Sequence, residues 1–268
     1  MPLLRRAPAH PPEERGVARE GIRLTFIGSG DAFGSGGRAN TCFLIEWGRR
    51  TLTVDFGATS LVEMRRREID ARAIDTIVLS HLHGDHFGGI PFLLLYRQFA
   101  CARHVPLTIV GPIGTRERLL AASEVFFPGS STIAWKFKLT VIEVPCGEVW
   151  REGDLSFVSH EVIHPSGAPA TGIRLQLGET LLAYSGDTEW TDTLFDISAG
   201  ADLFVCECYK PGGAPVFHMS LKKIVEHRER FAAKRIVLTH MSEEMLASTD
   251  AAKKAGLDIA HDGLVIDI

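Results

Sequence analysis

The sequence predicts an α+β chain in which β-sheets are covered by helices on their outer faces. Three observations carry this expectation. Short apolar, β-branched runs alternate along the chain with helical stretches, and such elements must bury their apolar faces against one another. No repeat and no low-complexity linker divides residues 21–268, so that stretch reads as a single domain. The composition, 45% hydrophobic and 23% charged, is that of a chain able to bury a large core.

The elements follow in order. Residues 1–20 are rich in Arg, Pro and Glu, bury little apolar surface and read as a flexible extension. Residues 22–28 form a strand ending in Gly28-Ser29-Gly30-Asp31. Residues 42–47 and 51–55 make a hairpin around Gly48-Arg49-Arg50. A helix over 58–67 precedes a buried strand over 75–80, which runs straight into a histidine cluster. Residues 88–100 read as one helix, 107–110 as a strand and 114–125 as a helix. Residues 134–177 are mostly strands, with a Gly/Pro-rich loop at 165–169. Strands over 180–185, 202–206 and 235–239 alternate with helices over 220–231 and 243–254.

The bulk chemistry excludes several classes. A formal net charge of −4 argues against the uniformly basic surface of a non-specific nucleic-acid binder. Cys42, Cys101, Cys146, Cys206 and Cys208 are odd in number and irregularly spaced. They suit a reducing, cytoplasmic setting better than a disulfide framework. No apolar run is long enough for a transmembrane helix, and the N-terminus has no apolar segment of a secretory signal. Cys206 and Cys208 flank Glu207 on the opposite face of a strand and read as small buried hydrophobes.

Positions 81–86 carry most of the chemistry. His81-Leu82-His83-Gly84-Asp85-His86 places three imidazoles and one carboxylate in six residues, directly after an apolar strand. These are the side chains that bind zinc and similar borderline ions. Gly84 is expected to let the backbone turn tightly, so that His83, Asp85 and His86 face a common volume.

This His-x-His-x-Asp-His pattern resembles the signature of the metallo-β-lactamase superfamily. Later landmarks follow in order: His164 in Val162-Ile163-His164, Asp187 in Ser185-Gly186-Asp187-Thr188, and His240 in Leu238-Thr239-His240-Met241-Ser242. The resemblance implies an αβ/βα four-layer sandwich, with two mixed sheets face to face, flanked by helices, and a site at one edge. It implies two divalent metal ions, zinc first, with manganese or iron as alternatives. His81, His83 and His164 would hold one ion. Asp85, His86 and His240 would hold the other, and Asp187 would bridge them. A metal-bridging hydroxide would be the nucleophile, with Asp85 orienting the water and taking its proton. His160, four residues before His164, shares its side of an extended strand, so either could be the ligand. His164 is preferred for its place at the strand end, with His160 as a supporting or packing residue. His10, His104, His227 and His261 read as surface or terminal histidines.

The finer resemblance is to the ribonuclease Z-like branch. It rests on Gly186-Asp187-Thr188, on Leu238-Thr239-His240-Met241-Ser242, and on Glu207 in Cys206-Glu207-Cys208-Tyr209 followed by His218 in Phe217-His218-Met219-Ser220. It implies that His218 protonates the leaving oxygen as general acid and that Glu207 orients and charges it. Ribonuclease Z proper carries a long transfer-RNA-gripping arm before its Gly-Asp-Thr motif. Here only eleven residues separate Arg174 from Gly186, enough for one hairpin. With the acidic balance, this points away from transfer RNA and towards a small or cyclic phosphodiester. Gly111-Pro112-Ile113-Gly114 reads as a turn before a helix, and as a phosphate signal it is weak. The rivals are a lactonase, arylsulfatase or thioesterase on the same cage, a di-iron redox protein, and a non-catalytic metal-binding or sensory protein. The resemblance alone points to a homodimer.

Overall fold

The computed structural model describes residues 19–100, 105–213 and 216–268. Residues 1–18 of the expected extension, with His10, and Cys101 and His104 lie outside the described residues. Arg19 and Glu20, the last two residues of that expected extension, already belong to a strand.

The chain begins with an antiparallel trio, β1 (Arg19–Gly28), β2 (Cys42–Gly48) and β3 (Arg50–Val54). Trp47 pairs with Arg50, so the hairpin turns on Gly48-Arg49, with Gly48 at φ +56°. After α1 (Ser60–Arg66), the strands β4 (Thr76–Val78), β5 (Leu107–Gly111) and β6 (Leu139–Glu143) add in parallel to β3. Between them lie α2 (Gly84–Phe87), α3 (Ile90–Phe99) and α4 (Thr115–Phe126). A second sheet starts as an antiparallel meander of β7 (Val149–Glu152), β8 (Leu155–Glu161), β9 (Thr171–Leu177) and β10 (Thr180–Tyr184). It continues in parallel through β11 (Leu203–Glu207), β12 (Ile236–Thr239) and β13 (Asp258–Ile259). The helices α5 (Thr193–Ser198), α6 (Leu221–Glu226), α7 (Glu243–Leu246) and α8 (Thr249–Lys254) cover it. The final strand β14 (Val265–Asp267) returns to the first sheet, antiparallel to β1.

The sheet orders are β14-β1-β2-β3-β4-β5-β6 and β13-β12-β11-β10-β9-β8-β7. Alternation along the strands explains the layering. On β1, Ile22, Leu24 and Phe26 face the space between the sheets, where they meet Leu155, Phe157, Ile173 and Leu175. Ile27 turns outward to a second core with Ile77, Leu79, Ile90 and Leu93 beneath α1–α4. A third core of Phe204, Cys206, Leu238, Ile224 and Met245 lies under α5–α8. Three apolar layers between four layers of elements give the αβ/βα sandwich.

The structure departs from the sequence reading at helix boundaries. The helix expected over 88–100 is α3, starting two residues later at Ile90, and a short helix not expected from the sequence, α2, precedes it and holds Asp85 and His86. The helix expected over 220–231 ends at Glu226 and continues as a single 3₁₀ turn, Arg228–Arg230. The one expected over 243–254 breaks between Leu246 and Thr249. Residues expected to link Arg174 to Gly186 form the β9–β10 hairpin, whose turn is Gly178-Glu179. Among the described residues, no helix is long and apolar enough to cross a membrane.

Candidate metal centre and proton-donor pair

The loops that follow β3, β4, β10 and β12 converge on one edge of the sandwich. His81 stands three residues past β4, fully buried, its Nδ1 3.1 Å from Ser80 Oγ. His83 caps α2 in extended conformation (φ −77°, ψ 154°). Its Nδ1 lies 3.0 Å from His164 Nε2. Gly84 does not make the sharp turn expected of it. It has no positive φ, begins an ordinary helical turn, and a Cβ there would meet nothing within 4 Å. The special backbone sits elsewhere. Gly186 has φ +62°, and a Cβ on it would come within 2.4 Å of the Thr171 carbonyl oxygen, so only glycine lets the chain turn Asp187 inward. Asp55 and His240 both hold φ +58°, a conformation that non-glycine residues keep only where the surroundings enforce it.

Ligating atoms of His81, His83 and His164 lie within 4.8 Å of one another, as do those of Asp85, His86, Asp187 and His240. Each group could hold a metal ion. Asp187 stands between them: its Oδ2 is 3.2 Å from His86 Nε2 and from His240 Nε2, 3.9 Å from His81 Nε2 and 4.0 Å from His164 Nε2. His160 is in neither group. It pairs with Gly172 across β8 and β9, and its pKa is drawn down by burial and by Arg174 nearby. His227 is not a free surface residue, because it stacks on Trp190 with ring centroids 4.4 Å apart. His261 is exposed.

His81 Nε2, His86 Nε2, Asp187 Oδ1 and His240 Nδ1 are buried without any hydrogen-bond partner. Buried polar atoms normally find partners. Of these four, His81 Nε2 and His86 Nε2 face Asp187, 3.9 and 3.2 Å from its Oδ2, and have the chemistry of a divalent-cation site; His240 turns its Nε2, not the orphaned Nδ1, to the same carboxylate. The charges agree. Burial alone would lower the His86 pKa, yet Asp187, Asp85 and Asp55 raise it well above the usual histidine range. Burial opposes ionisation of Asp187, yet His240 and His86 hold its carboxyl well below the usual carboxylate range. His81, with burial and the His86 charge against it, is held well below the usual range. The carboxylates therefore demand positive charge at this place, from protons on imidazole or from a metal cation.

Beside this cluster, Glu207 Oε2 lies 3.1 Å from His218 Nδ1. Glu207, the last residue of β11, is fully buried and accepts a further hydrogen bond at Oε1 from the Thr188 amide. Burial pulls the His218 pKa down, but Glu207 outweighs it and raises the value to about 9. Burial pushes the Glu207 carboxyl up, and the hydrogen bond to His218 works against that. The His218 ring is stacked between Tyr209 (4.7 Å) and His240 (5.4 Å).

Sequence reasoning missed Asp55. It follows β3, is fully buried, and accepts hydrogen bonds from the Ser80 amide and hydroxyl at 2.8 and 2.7 Å. Its one sequence signal is a lone carboxylate at a strand end, in Thr53-Val54-Asp55-Phe56-Gly57. The Gly111–Gly114 turn is not a phosphate site: Glu143 Oε1 already accepts from the Gly114 and Arg116 amides at the start of α4. Cys206 and Cys208 are free thiols buried in the outer core, the latter 3.6 Å from Met245 Sδ.

Fold and site together define a metal-dependent hydrolase of metallo-β-lactamase fold, ribonuclease Z-like in layout. The chain belongs to the family described as anti-Pycsar protein Apyc1, which matches residues 22–263. It is similar to a ribonuclease Z of Mycobacterium sp. (strain KMS), 29% identical over 246 residues that cover 89% of this chain and 82% of that one. Among solved structures, it resembles the metallo-β-lactamase fold protein YhfI of Bacillus subtilis, with TM-score 0.77 and 22% identity over 93% of this chain and 100% of that chain. It also resembles the short form of human tRNase Z, with TM-score 0.72 and 22% identity over 91% and 98%.

Proposed function

We propose that the chain is a dinuclear metal-dependent phosphodiesterase acting on a small or cyclic phosphodiester. His81, His83 and His164 would hold one divalent ion and Asp85, His86 and His240 the other, with Asp187 available to both. The orphaned buried atoms of His81, His86 and Asp187 support this assignment, as does His240 Nε2, 3.2 Å from Asp187 Oδ2. Bound there, divalent ions supply Lewis acidity and make water acidic enough to attack near neutral pH.

The chain's own residues do the rest. Asp85 Oδ2, 3.3 Å from His86 Nε2, orients the attacking water and takes its proton. His218 gives a proton to the leaving oxygen. With Nδ1 committed to Glu207, Nε2 is the nitrogen that hands it over. The observation that carries the phosphodiester reading is this Glu207–His218 pair beside the cage. An alkoxide leaving from phosphorus needs a proton, and a buried carboxylate keeps the imidazole charged to provide it. The likeness to a ribonuclease Z supports phosphodiester chemistry. The two-residue β9–β10 turn leaves no arm there for transfer RNA and favours a small substrate.

The test is metal content by mass spectrometry alongside hydrolysis of bis(p-nitrophenyl) phosphate, on wild type and Asp187→Ala. About two ions per chain and metal-dependent cleavage, both reduced in the variant, are expected. Two ions without cleavage would move the search to lactones, thioesters and sulfate esters. No bound metal would overturn the assignment.

A further inference from the structure

Phe217 ties together the two imidazoles whose proposed roles differ most: it precedes His218 in the chain and its carbonyl meets His164, and the two imidazole ring centroids lie 5.0 Å apart. Its backbone holds φ +66°, a left-handed conformation that a phenylalanine rarely adopts. Both of its main-chain polar groups are engaged. The carbonyl lies 2.8 Å from His164 Nδ1, and the amide donates to Glu189 Oε1 at 2.9 Å. A strained residue persists only where its surroundings fix it, and such residues gather at functional sites.

Glu189 is itself anchored. Its amide donates to the Ile163 carbonyl at 2.9 Å, and its own carbonyl accepts from Thr188 Oγ1 at 2.6 Å. That hydroxyl accepts from the Ile163 amide at 3.0 Å. Three consecutive residues thus tie the site together. Asp187 stands between the two ligand groups. Thr188 holds Glu207 and the approach to His164. The Glu189 side chain reaches across to the turn that carries His218.

We propose that Glu189 is a positioning residue for the proton donor. Its carboxylate clamps the Phe217 amide, and the strained turn then delivers His218 to Glu207 and to the leaving oxygen. The inference rests on His218 acting as general acid. Without the clamp, Phe217 relaxes to a negative φ and the imidazole next to it moves. Misplacement of a reacting group by about 1 Å costs on the order of 10²-fold in rate. Glu189→Ala is therefore expected to lower turnover by on the order of 10-fold or more where the leaving group needs a proton.

The experiment compares wild type, His218→Ala, Glu189→Ala and Glu189→Gln on two substrates, with metal content measured for each. A 3′,5′-cyclic nucleotide expels a sugar alkoxide and needs the proton. Bis(p-nitrophenyl) phosphate expels p-nitrophenolate and does not. The expected result is a loss in Glu189→Ala on the cyclic nucleotide only, with metal content unchanged. Glu189→Gln, which keeps an acceptor oxygen, is expected to stay near wild type. Equal losses on both substrates, or loss of metal, would make Glu189 merely structural and overturn the inference. So would wild-type behaviour of Glu189→Ala while His218→Ala loses the cyclic nucleotide alone. If His218→Ala affects both substrates equally, the general-acid reading fails first and takes the Glu189 inference with it.

Discussion

Asp55 Oδ2 stands 2.7 Å from His86 Nδ1, and both side chains are sealed from solvent. The carboxylate also takes the amide and hydroxyl of Ser80, one residue before His81. One buried acid thus fixes the orientation of His86 and the exit of the chain from β4. With Nδ1 donating to Asp55, Nε2 of His86 faces Asp85 and Asp187, where a metal cation would take the place of its proton. Asp55→Ala is expected to weaken metal affinity about 10–100-fold. Breaking the buried pair is also expected to lower stability by about 3–5 kcal/mol. Zinc competition titration and urea unfolding check both. Unchanged affinity would remove Asp55 from the metal-site support.

His164 and His160 are four residues apart, but only His164 joins a donor group. Metal content by mass spectrometry should fall in His164→Ala and stay at the wild-type level in His160→Ala. The reverse pattern would reassign the ligand.

The two glycines nearest the ligands should answer oppositely to alanine. At Gly186 the added Cβ meets the Thr171 carbonyl oxygen at 2.4 Å and the φ is +62°. A cost of about 1–3 kcal/mol and a displaced Asp187, read as lost metal, are expected. At Gly84 there is open space and no positive φ. Alanine there should be neutral or stabilise by about 0.4–1 kcal/mol, as a restriction of the unfolded chain. Urea unfolding of the pair decides it, and a destabilised Gly84→Ala would restore the tight-turn reading.

Chelation is the fourth test. A ligand bound only by the folded state stabilises it by about 2.7 kcal/mol at a hundred times its Kd. Thermal melting should therefore shift down on adding EDTA and recover on excess zinc. The same experiment on Asp187→Ala should show a smaller shift. A wild-type melt indifferent to both would argue that the orphaned nitrogens and oxygens hold no cation.

The legible part of this molecule is the part where chemistry is written in consecutive residues. Ile74, Ile77 and Val78 mark a buried strand, and His81 to His86 follow at once, so strand and donors appear together. His164, Asp187 and His240 were legible as later landmarks of the resemblance, each ending or closely following an expected strand. Glu207 and His218 were readable as a pair only through the resemblance, since nothing in the spacing sets their 3.1 Å contact. Asp55 was not legible. Its importance comes from parallel pairing of β3 with β4, which sets Val54 beside Val78 and the residues after them side by side. Strand β14 escaped for a similar reason: Val265–Asp267 is too short to announce itself and is defined by its partner β1. Helix ends were misjudged where continuous polar–apolar periodicity hid a break, as at Ala247-Ser248.

The β1–β14 pairing joins Arg23 to Asp267 and Thr25 to Val265. Just before β14, Asp262 grips the amide and hydroxyl of Ser29 and the amide of Ala39. Ser29 in turn accepts from the His240 amide. Closing this arrangement means joining residues more than two hundred positions apart, the kind of high-contact-order event that slows folding. A refolding chain would regain helix and most of its strand signal before His240 reaches its final place, so recovery of zinc binding should lag behind recovery of the far-ultraviolet circular dichroism.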